Sequence, residues 1–403
     1  MNDIKLLSKE GLIWMLTALL YACFSITTTD ATWSTYSLLL ITAVVAVLTA
    51  TKYGMPSIKN FEYQRNVLIF AAFAFLSSLW AIRPSDAIEK GITIVELTLC
   101  MSVFMWSYSN ISNAFNKLLA AIMWGGYVVT LYTFIFIGLS NVMFIVATGG
   151  RLESTFDNVN AIGMICAISI LISLYFVAKK RNWLLILLDM PTLVLLAACG
   201  SRKAMIILVI GALAIYVFNS RSQNKLGLLF RVFLAAIGLI VAVYALAQFS
   251  LFSGLNARME GLYAMITGVG DIDHSAQVRE EMVDLGLSIF KDNPIFGIGI
   301  GCAHVFTLQR IGHDCYLHNN YAEMLANGGI VGTFLFYRIY WCIVNNIRKN
   351  KIYTSSEGKI LLILLFALLI SEMGLVSYYS KLYYFFFMVF YLFIAQEKRN
   401  IYG

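Results

Sequence analysis

Residues 161–178 read AIGMICAISILISLYFVA, a stretch of eighteen residues without one charged side chain. A helix needs roughly 17–25 predominantly apolar residues to cross a bilayer. Three basic residues follow at once, Lys179, Lys180 and Arg181. The stretch therefore predicts a transmembrane helix that ends at a membrane surface.

The whole chain shares the apolar character of this stretch. Of its 403 residues, 60% are hydrophobic and 13% are charged, and the mean hydropathy is +0.78. Soluble domains contain about 25% charged residues, so the composition excludes a soluble globular protein. The net charge is +7, but the basic residues are dispersed among short loops without a basic stripe, which excludes nucleic acid as the partner. We predict an all-α polytopic membrane protein.

Apolar runs of sufficient length recur along the chain and predict about twelve transmembrane helices. Several of the runs are short, which leaves tilted or re-entrant segments open. The predicted spans are residues 11–27, 35–53, 67–82, 92–108, 118–139, 161–178, 183–200, 204–218, 228–249, 319–344, 360–376 and 382–395.

The distribution of positive charge predicts the orientation, because Lys and Arg favour cytoplasmic loops. With both termini on one side, that side holds eighteen Lys and Arg residues and the other side holds ten, while Arg338 within a span completes the 29. The termini are therefore predicted to be cytoplasmic. The chain then divides into nine spans in residues 1–250, an extracytoplasmic loop at 251–317, and three spans in 318–403.

The long loop contains two recognisable segments. Residues 277–291 form an amphipathic helix by their spacing of apolar side chains, namely Val278, Met282, Leu285, Ile289 and Phe290. Asn293 and Pro294 end this helix. Residues 295–301 alternate with glycine, which predicts a flexible turn or close backbone packing and not a dinucleotide site, because no strand–helix unit surrounds them.

All four histidines lie in this loop or directly after it, at His274, His304, His313 and His318. Histidine is the usual general base at neutral pH, and His318 stands where the loop meets the next span. His304 and His313 are interpreted as satisfied loop histidines. Zinc binding by these histidines is the less favoured alternative, since no tight ligand spacing exists.

Two further pairs in the loop leave minor alternatives open. Asp271 and Asp273 match the acidic metal-binding pattern of nucleotide-sugar transferases, but such a pair arises often by chance. Cys302 and Cys315 can form a disulfide if the loop is extracytoplasmic.

The segment from His318 onward resembles the signature of the O-antigen ligase and polymerase superfamily. His318 and Asn319 are followed, after nine residues, by Gly329 and Gly332. Three other segments are similar to the same superfamily, although Met282 and Val283 stand where relatives often carry an aromatic. These segments are residues 200–204 (GSRKA), Arg279 with the following 293–299, and residues 150–160.

The resemblance implies a GT-C-like membrane fold and a reaction on the outer face of a bacterial inner or plasma membrane. The donor is an undecaprenyl-pyrophosphate-linked glycan, and the acceptor is another glycan. Transfer proceeds with inversion and without a metal ion or other cofactor. The partners implied are the lipid bilayer, a chain-length regulator and a flippase.

Three residues are the candidates for catalysis. His318 is predicted to accept the proton of the acceptor hydroxyl. Arg202 and Arg279 are predicted to bind the pyrophosphate leaving group, because guanidinium is always charged and contacts phosphate oxygens in a bidentate manner.

Substrate binding is predicted for Arg151, Asn319, Tyr321 and Lys381. For Asn319 a helix cap is an equal alternative, and Lys381 also fits an interfacial lysine within an aromatic belt. Glu96 is a functional candidate because a charge inside a span is costly, and a structural hydrogen bond is an equal alternative.

Three functions remain in competition. The first is polymerisation of lipid-linked repeat units, favoured by the GSRKA form of residues 200–204. The second is ligation of a finished glycan to a lipid core or protein. The third is a transporter or flippase, which the absence of a convincing internal sequence repeat disfavours.

Overall fold

The computed structural model describes residues 7–26, 31–55, 61–148, 150–152, 158–219, 227, 274–312 and 314–402. The predicted span 228–249 lies outside these ranges, as do His313 and the pair Asp271 and Asp273. The secondary structure of the described residues is helical, with a 3-10 turn at Ile352–Thr354. The helices are α1 (Lys9–Ile26), α2 (Ala31–Tyr53), α3 (Glu62–Ser77), α4 (Pro84–Ser109), α5 (Ala114–Ile137), α6 (Leu139–Thr148), α7 (Val159–Lys180), α8 (Leu184–Cys199), α9 (Arg202–Asn219), α10 (His274–Asp292), α11 (His304–Ile311), α12 (Asn320–Lys349), α13 (Ser356–Ser371) and α14 (Lys381–Tyr402).

Each of the other eleven predicted spans coincides with a helix. Among the residues that the structure describes, five helices are long and apolar enough to cross a membrane, namely α2 over Trp33–Tyr53, α5, α7, α9 and α12. Helices α6 and α8 are shorter apolar helices. The chain is therefore a helical polytopic membrane protein, while the count of twelve crossings stays a prediction.

Helix α14 lies inside the bundle and is covered on every side. Residues 382–395 are all buried. Phe385 packs against Tyr21 of α1, with ring centroids 5.8 Å apart, and Phe393 stacks on Phe115 of α5 at 4.1 Å. A helix that is hydrophobic all round is expected in the interior.

The predicted amphipathic helix lies within α10, which packs on α12. Met282, Leu285 and Ile289 are buried, whereas Glu280 and Glu281 are exposed. The apolar face of α10 therefore covers the bundle.

Helix α12 is interrupted at Gly329, where φ is 59° and ψ is −161°. The glycine-rich segment of the loop crosses this interruption, and the N–H of Gly299 donates to the carbonyl oxygen of Asn327 at 3.0 Å. A Cβ on Gly329 would lie 2.5 Å from the carbonyl carbon of Ile295. The glycines therefore allow close backbone packing, and the predicted span 319–344 contains a break that its hydropathy did not indicate.

Two helices end well before their predicted spans do, and one helix was not predicted. Helix α3 ends at Ser77 although the predicted span continues to residue 82. Helix α13 ends at Ser371 although the apolar run continues to residue 376, because the following main-chain carbonyls accept hydrogen bonds from other elements. Helix α6 was not predicted; it begins directly after Gly138, whose φ of 89° ends α5.

Candidate active site

His318 lies immediately before the N-terminus of α12, in a left-handed conformation with φ of 51°. The side chain of Asn319 caps the helix by accepting hydrogen bonds from the N–H groups of Tyr321 (3.0 Å) and Ala322 (3.2 Å). The Tyr316 ring lies against the imidazole, with centroids 4.3 Å apart. The local sequence thus turns the chain sharply and presents His318 at the end of the helix.

A buried carboxylate closes the turn that carries His318. Glu323, which is 2% exposed, accepts a hydrogen bond from the N–H of Leu317 at 2.8 Å. Its other oxygen accepts from the side-chain amide of Asn327 at 2.9 Å. Leu317 and Asn319, the two residues that flank His318, are therefore both bonded to the helix that follows.

A second buried carboxylate, Glu372, lies beneath the same turn and is fully buried. It accepts hydrogen bonds from Asn320 (3.2 Å), from Tyr337 (2.6 Å) and from Tyr340. The side-chain oxygen of Asn320 accepts from the N–H of Ser377 at 2.9 Å. The start of α12 is thus attached to the connection between α13 and α14.

Two cations act on the His318 imidazole. Burial lowers the pKa of His318 to about 4, and the positive charges of Arg279 and Lys203 act in the same direction. The Nζ atom of Lys203 donates to the carbonyl oxygen of Met373. His318 is therefore unprotonated at neutral pH, next to the positive charges of Arg279 and Lys203.

Arg202 lies at the same end of the bundle, because it is the first residue of α9 and precedes Lys203. Helix α9 approaches α7 closely at this end, where a Cβ on Gly163 would lie 2.9 Å from the Cβ of Ser201. The GSRKA segment therefore places Arg202 and Lys203 together beside the start of α7.

Arg151 also lies at this end. Its Nε atom donates to the carbonyl oxygen of Cys199 (3.4 Å), and its Nη2 atom donates to Asn160 (3.4 Å). Asn158, which caps α7, donates to the hydroxyl of Tyr316 at 3.5 Å. The segment around Arg151 therefore reaches the ring that contacts His318.

Tyr321 and Lys381 have other contacts. The Tyr321 hydroxyl donates to the carbonyl oxygen of Leu369 at 2.8 Å. Lys381 donates to Ser34 (2.8 Å) and Thr35 (3.0 Å) in the first turns of α2. Neither side chain is bonded to the His318 turn within the part of the chain that the structure describes.

Glu96 is an electrostatic neighbour of Lys381. The structure thereby gives this acid a nearby cation that the sequence did not identify.

His304 bridges two carboxylates. Its Nδ1 atom lies 2.6 Å from Asp314, and its Nε2 atom lies 2.7 Å from Asp86 of α4. Burial alone would lower the pKa of His304, but the hydrogen bonds to the two carboxylates outweigh it and raise the pKa above its ordinary value. His304 thus fastens α11 and the segment before His318 to α4.

The sequence left a metal site and a disulfide open as alternatives in the loop. In the residues that the structure describes, no three His, Cys, Asp or Glu side chains are grouped as metal ligands. The thiols of Cys302 and Cys315 are both free; Cys302 contacts the carbonyl oxygen of Arg83 at 3.6 Å.

Sequence reasoning missed Lys203, Tyr316 and Glu372 as parts of this site. Lys203 stands inside the GSRKA segment, but nothing in the sequence shows that it faces His318. Glu372 carried a usable signal, because it is an acid inside the predicted span 360–376 and such acids are functional candidates by default.

Comparison with known families adds independent information. Residues 187–337 match the family described as O-Antigen ligase, a little over a third of the chain. The matched region begins in α8, ends in α12 and includes Arg202, Arg279 and His318, whereas Arg151 and Lys381 lie outside it. A comparison with curated proteins gives no match. Residues 187–337 are thus similar to the O-antigen ligase family, which supports the superfamily that the sequence motifs predict.

Proposed function

We propose that this protein transfers a glycan from an undecaprenyl-pyrophosphate-linked donor to another lipid-linked glycan and so polymerises the repeat units of a surface polysaccharide. The observation that carries the proposal is the environment of His318. A half-buried imidazole with its pKa lowered to about 4 lies beside the positive charges of Arg279 and Lys203. This arrangement suits a base that works next to an anionic leaving group.

The proposed chemistry is a single displacement at the anomeric carbon. The acceptor hydroxyl gives its proton to His318 while its oxygen forms the new glycosidic bond. The bond between the anomeric carbon and the pyrophosphate oxygen breaks, and its electron pair leaves with the pyrophosphate. Attack opposite to the leaving group inverts the anomeric centre. Arg202 and Arg279 stabilise the charge that develops on the phosphate oxygens.

The remaining binding residues have different support. Arg151 is retained for donor binding because its segment contacts Tyr316 through Asn158. For Asn319 and Tyr321 we propose that they orient His318 indirectly, through the helix cap and the bond to Leu369. Lys381 is retained as a glycan-binding candidate on the basis of the sequence alone.

Ligation to a lipid core or protein is the second candidate function. It is favoured by the description of the matching family as O-Antigen ligase. Polymerisation is favoured by the GSRKA form of residues 200–204, and both functions use the same donor chemistry. The acceptor distinguishes them.

We further propose twelve crossings, cytoplasmic termini and a site on the outer face of a bacterial membrane. The charge bias of the loops supports this orientation. Single cysteines introduced at Ser275 and Asn224 into a cysteine-free variant test it with a membrane-impermeant reagent on intact cells. Labelling is expected at position 275 and not at 224; the reverse pattern would overturn the orientation.

The function is tested with purified protein in nanodiscs and a lipid-pyrophosphate-linked repeat unit. His318→Ala is expected to bind this donor but to transfer glycan about 10²–10⁴-fold more slowly, and a chelator is expected to leave the wild-type rate unchanged. His274→Ala, another histidine of the same loop, is the matched control and is expected to stay active. Wild-type rates in His318→Ala would refute the base assignment, and loss of activity with chelator would refute the metal-free mechanism.

A further inference from the structure

His304 forms hydrogen bonds through both nitrogens of its ring. Its Nδ1 atom lies 2.6 Å from a carboxylate oxygen of Asp314, and its Nε2 atom lies 2.7 Å from a carboxylate oxygen of Asp86. An ionised carboxylate can only accept, and a neutral imidazole has a single N–H to donate. Between two ionised carboxylates, both bonds form together only when the imidazole carries a second proton. The observed geometry is therefore that of the positively charged ring.

The two carboxylates belong to different parts of the molecule. Asp86 lies in the first turn of α4, and 16% of its side chain is exposed. Asp314 lies four residues before His318, and 60% of its side chain is exposed. Protonated His304 thus joins α4 to the short segment of residues 314–317 that leads into His318, which we call the arm.

The arm reaches the imidazole of His318 through Tyr316. Thr307 of α11 holds the arm, because its hydroxyl donates to the carbonyl oxygen of Cys315 at 2.6 Å. The ring of the next residue, Tyr316, lies against the His318 ring, with centroids 4.3 Å apart. Among the residues that the structure describes, no group forms a hydrogen bond with the His318 imidazole. The orientation of this imidazole therefore depends on the arm that carries Tyr316.

The other charged and titratable groups around His304 act in both directions. The Asp86 carboxylate also contacts the guanidinium of Arg83 at 3.5 Å, which opposes a second cation. Glu323 of α12, when ionised, attracts the imidazolium. The remaining groups on the same elements are the ion pair of Glu89 and Lys90 in α4, the thiols of Cys302 and Cys315, and Arg310 near the end of α11.

The balance of these influences sets the pH at which His304 loses its proton. Burial, the largest influence, favours the neutral ring. The hydrogen bonds and negative charges of Asp86 and Asp314 together outweigh burial and raise the pKa of His304. His304 therefore loses its proton at a pH above the ordinary histidine range.

We propose that protonated His304 is a positioning residue for glycan transfer, because it holds the arm on α4 and thereby orients the imidazole of His318, and that transfer declines when His304 loses its proton at alkaline pH. The effect on transfer rests on the proposed function, but the coupling between the two histidines does not. In the neutral ring one nitrogen becomes an acceptor that faces a carboxylate, and that bond breaks. Asp314 is the more exposed partner and is readily hydrated, so the arm is the side that is released.

Asp314→Asn separates the hydrogen bond from the proton. The Asn amide can donate to Nδ1 of a neutral ring while Nε2–H donates to Asp86, so the bridge no longer needs the second proton. In nanodiscs with the lipid-pyrophosphate-linked repeat unit, kcat of the wild type is expected to fall about 10-fold or more between pH 7 and pH 10, since displacement of a reacting group costs up to about 10²-fold. Asp314→Asn is expected to keep the wild-type kcat at pH 7 and to lose less than about 2-fold over the same range.

Asp284→Asn is the matched control, because it makes the same chemical change at an exposed position of α10. This variant is expected to show the same alkaline decline as the wild type. A decline can also arise from another titrating group, such as Lys203, and a decline of that origin would persist in Asp314→Asn.

The coupling between the histidines is measured without turnover. NMR of the full chain with isotope-labelled histidine in detergent micelles reports the protonation of each ring, and His304→Gln assigns the His304 signal. His304 is expected to be protonated at pH 7. The His318 signals are expected to shift as His304 titrates in the wild type, but not in Asp314→Asn.

The two measurements decide the inference together. A neutral His304 at pH 7, or His318 signals that do not follow the titration of His304, would overturn it whatever the activity. A wild-type kcat that stays constant to pH 10, or an equal decline in the wild type and Asp314→Asn, would overturn the positioning role. Coupled titration of the two histidines in a protein without any glycan transfer would uphold the coupling and reject the proposed function.

Discussion

The main-chain N–H of Asn320 donates to the carbonyl oxygen of Glu372 at 2.8 Å, so the residue that starts α12 is joined to the residue that directly follows α13. The Asn320 side chain adds bonds to Glu372, to Tyr337 (3.1 Å) and to the N–H of Ser377. His318 is therefore positioned by an element that lies more than fifty residues further along the chain.

Asn320→Leu is expected to destabilise the protein by about 2–3 kcal/mol, because it leaves the N–H of Ser377 and part of Glu372 buried without a partner. Thermal unfolding in detergent measures the effect. Asn141→Ala is the control, since this exposed side chain of α6 donates to the carbonyl oxygen of Ile137 at the end of α5, and its effect is expected within about 0.5 kcal/mol. Equal unfolding temperatures for the wild type and Asn320→Leu would contradict the role of this residue.

Arg202→Lys and Arg279→Lys keep a positive charge but lose bidentate contact with phosphate oxygens. Each is expected to raise the activation free energy of glycan transfer by about 2–4 kcal/mol, by analogy with oxyanion-type contacts. The rate of polymer formation in nanodiscs measures this. Arg310→Lys, at an exposed arginine of α11, is expected to retain full activity, and near-normal polymer from both test variants would refute bidentate recognition.

The pH dependence of glycan transfer follows from His318. Its pKa is lowered to about 4 by burial and by Arg279 and Lys203, so the imidazole stays unprotonated until the pH falls towards 4. The acid limb of kcat/KM, which reports the free enzyme, is therefore expected near pH 4 and not near the ordinary histidine value of about 6.5. A limb at pH 6.5 or above would show that the base is solvated or is a different group.

The free energy of unfolding is expected to depend on pH through His304. Its pKa is raised in the folded protein. The protonated imidazole therefore contributes fully to the free energy of unfolding below the pKa of the unfolded chain, which is about 6.5, and this contribution is lost as the pH rises through the pKa of the folded protein. His304→Gln should therefore lower the unfolding free energy by about 1 kcal/mol at pH 6, and this difference should shrink towards pH 9. Paired unfolding curves at both pH values measure it, and a larger difference at pH 9 would contradict the assignment of a protonated His304.

Gly329 and Gly312 form a matched pair with positive φ angles of 59° and 79°. A Cβ on Gly329 would lie 2.5 Å from the main chain of Ile295, whereas a Cβ on Gly312 would meet nothing within 4 Å. Gly329→Ala is expected to cost more than about 3 kcal/mol or to prevent folding, and Gly312→Ala to cost only about 1 kcal/mol. The yield of monodisperse protein and its unfolding temperature measure both effects. Similar values for the two variants would argue against the crossing of the glycine-rich loop segment over α12 at Gly329.

The helices could be predicted from the sequence because each apolar run carries its own signal. The runs at 161–178 and 382–395 lie within α7 and α14. The break at Gly329 could not be predicted in this way, since its hydrogen-bond partners lie in a separate segment of the loop. The hydropathy of a run measures how apolar the run is, but it does not show which other segment of the chain packs across it.

The site was predictable in part. His318 and Arg279 were recognisable from their motifs, and the cap formed by Asn319 is a local feature. The roles of Lys203 and Glu372 depend on the meeting of segments that are far apart in the chain, which one sequence does not reveal. The same holds for Lys381, whose partners Ser34 and Thr35 precede it by about 346 residues.

The burial of α14 has a consequence for biosynthesis. Of the helices that the structure describes, α14 is the last along the chain, yet residues 382–395 are all buried inside the bundle. Helices inserted earlier by the ribosome-bound translocation machinery must therefore leave a vacant groove until α14 arrives. The connection that is bonded to Asn320 and Lys203 precedes α14 by only a few residues, so the turn that carries His318 is completed at nearly the same moment as the core is closed.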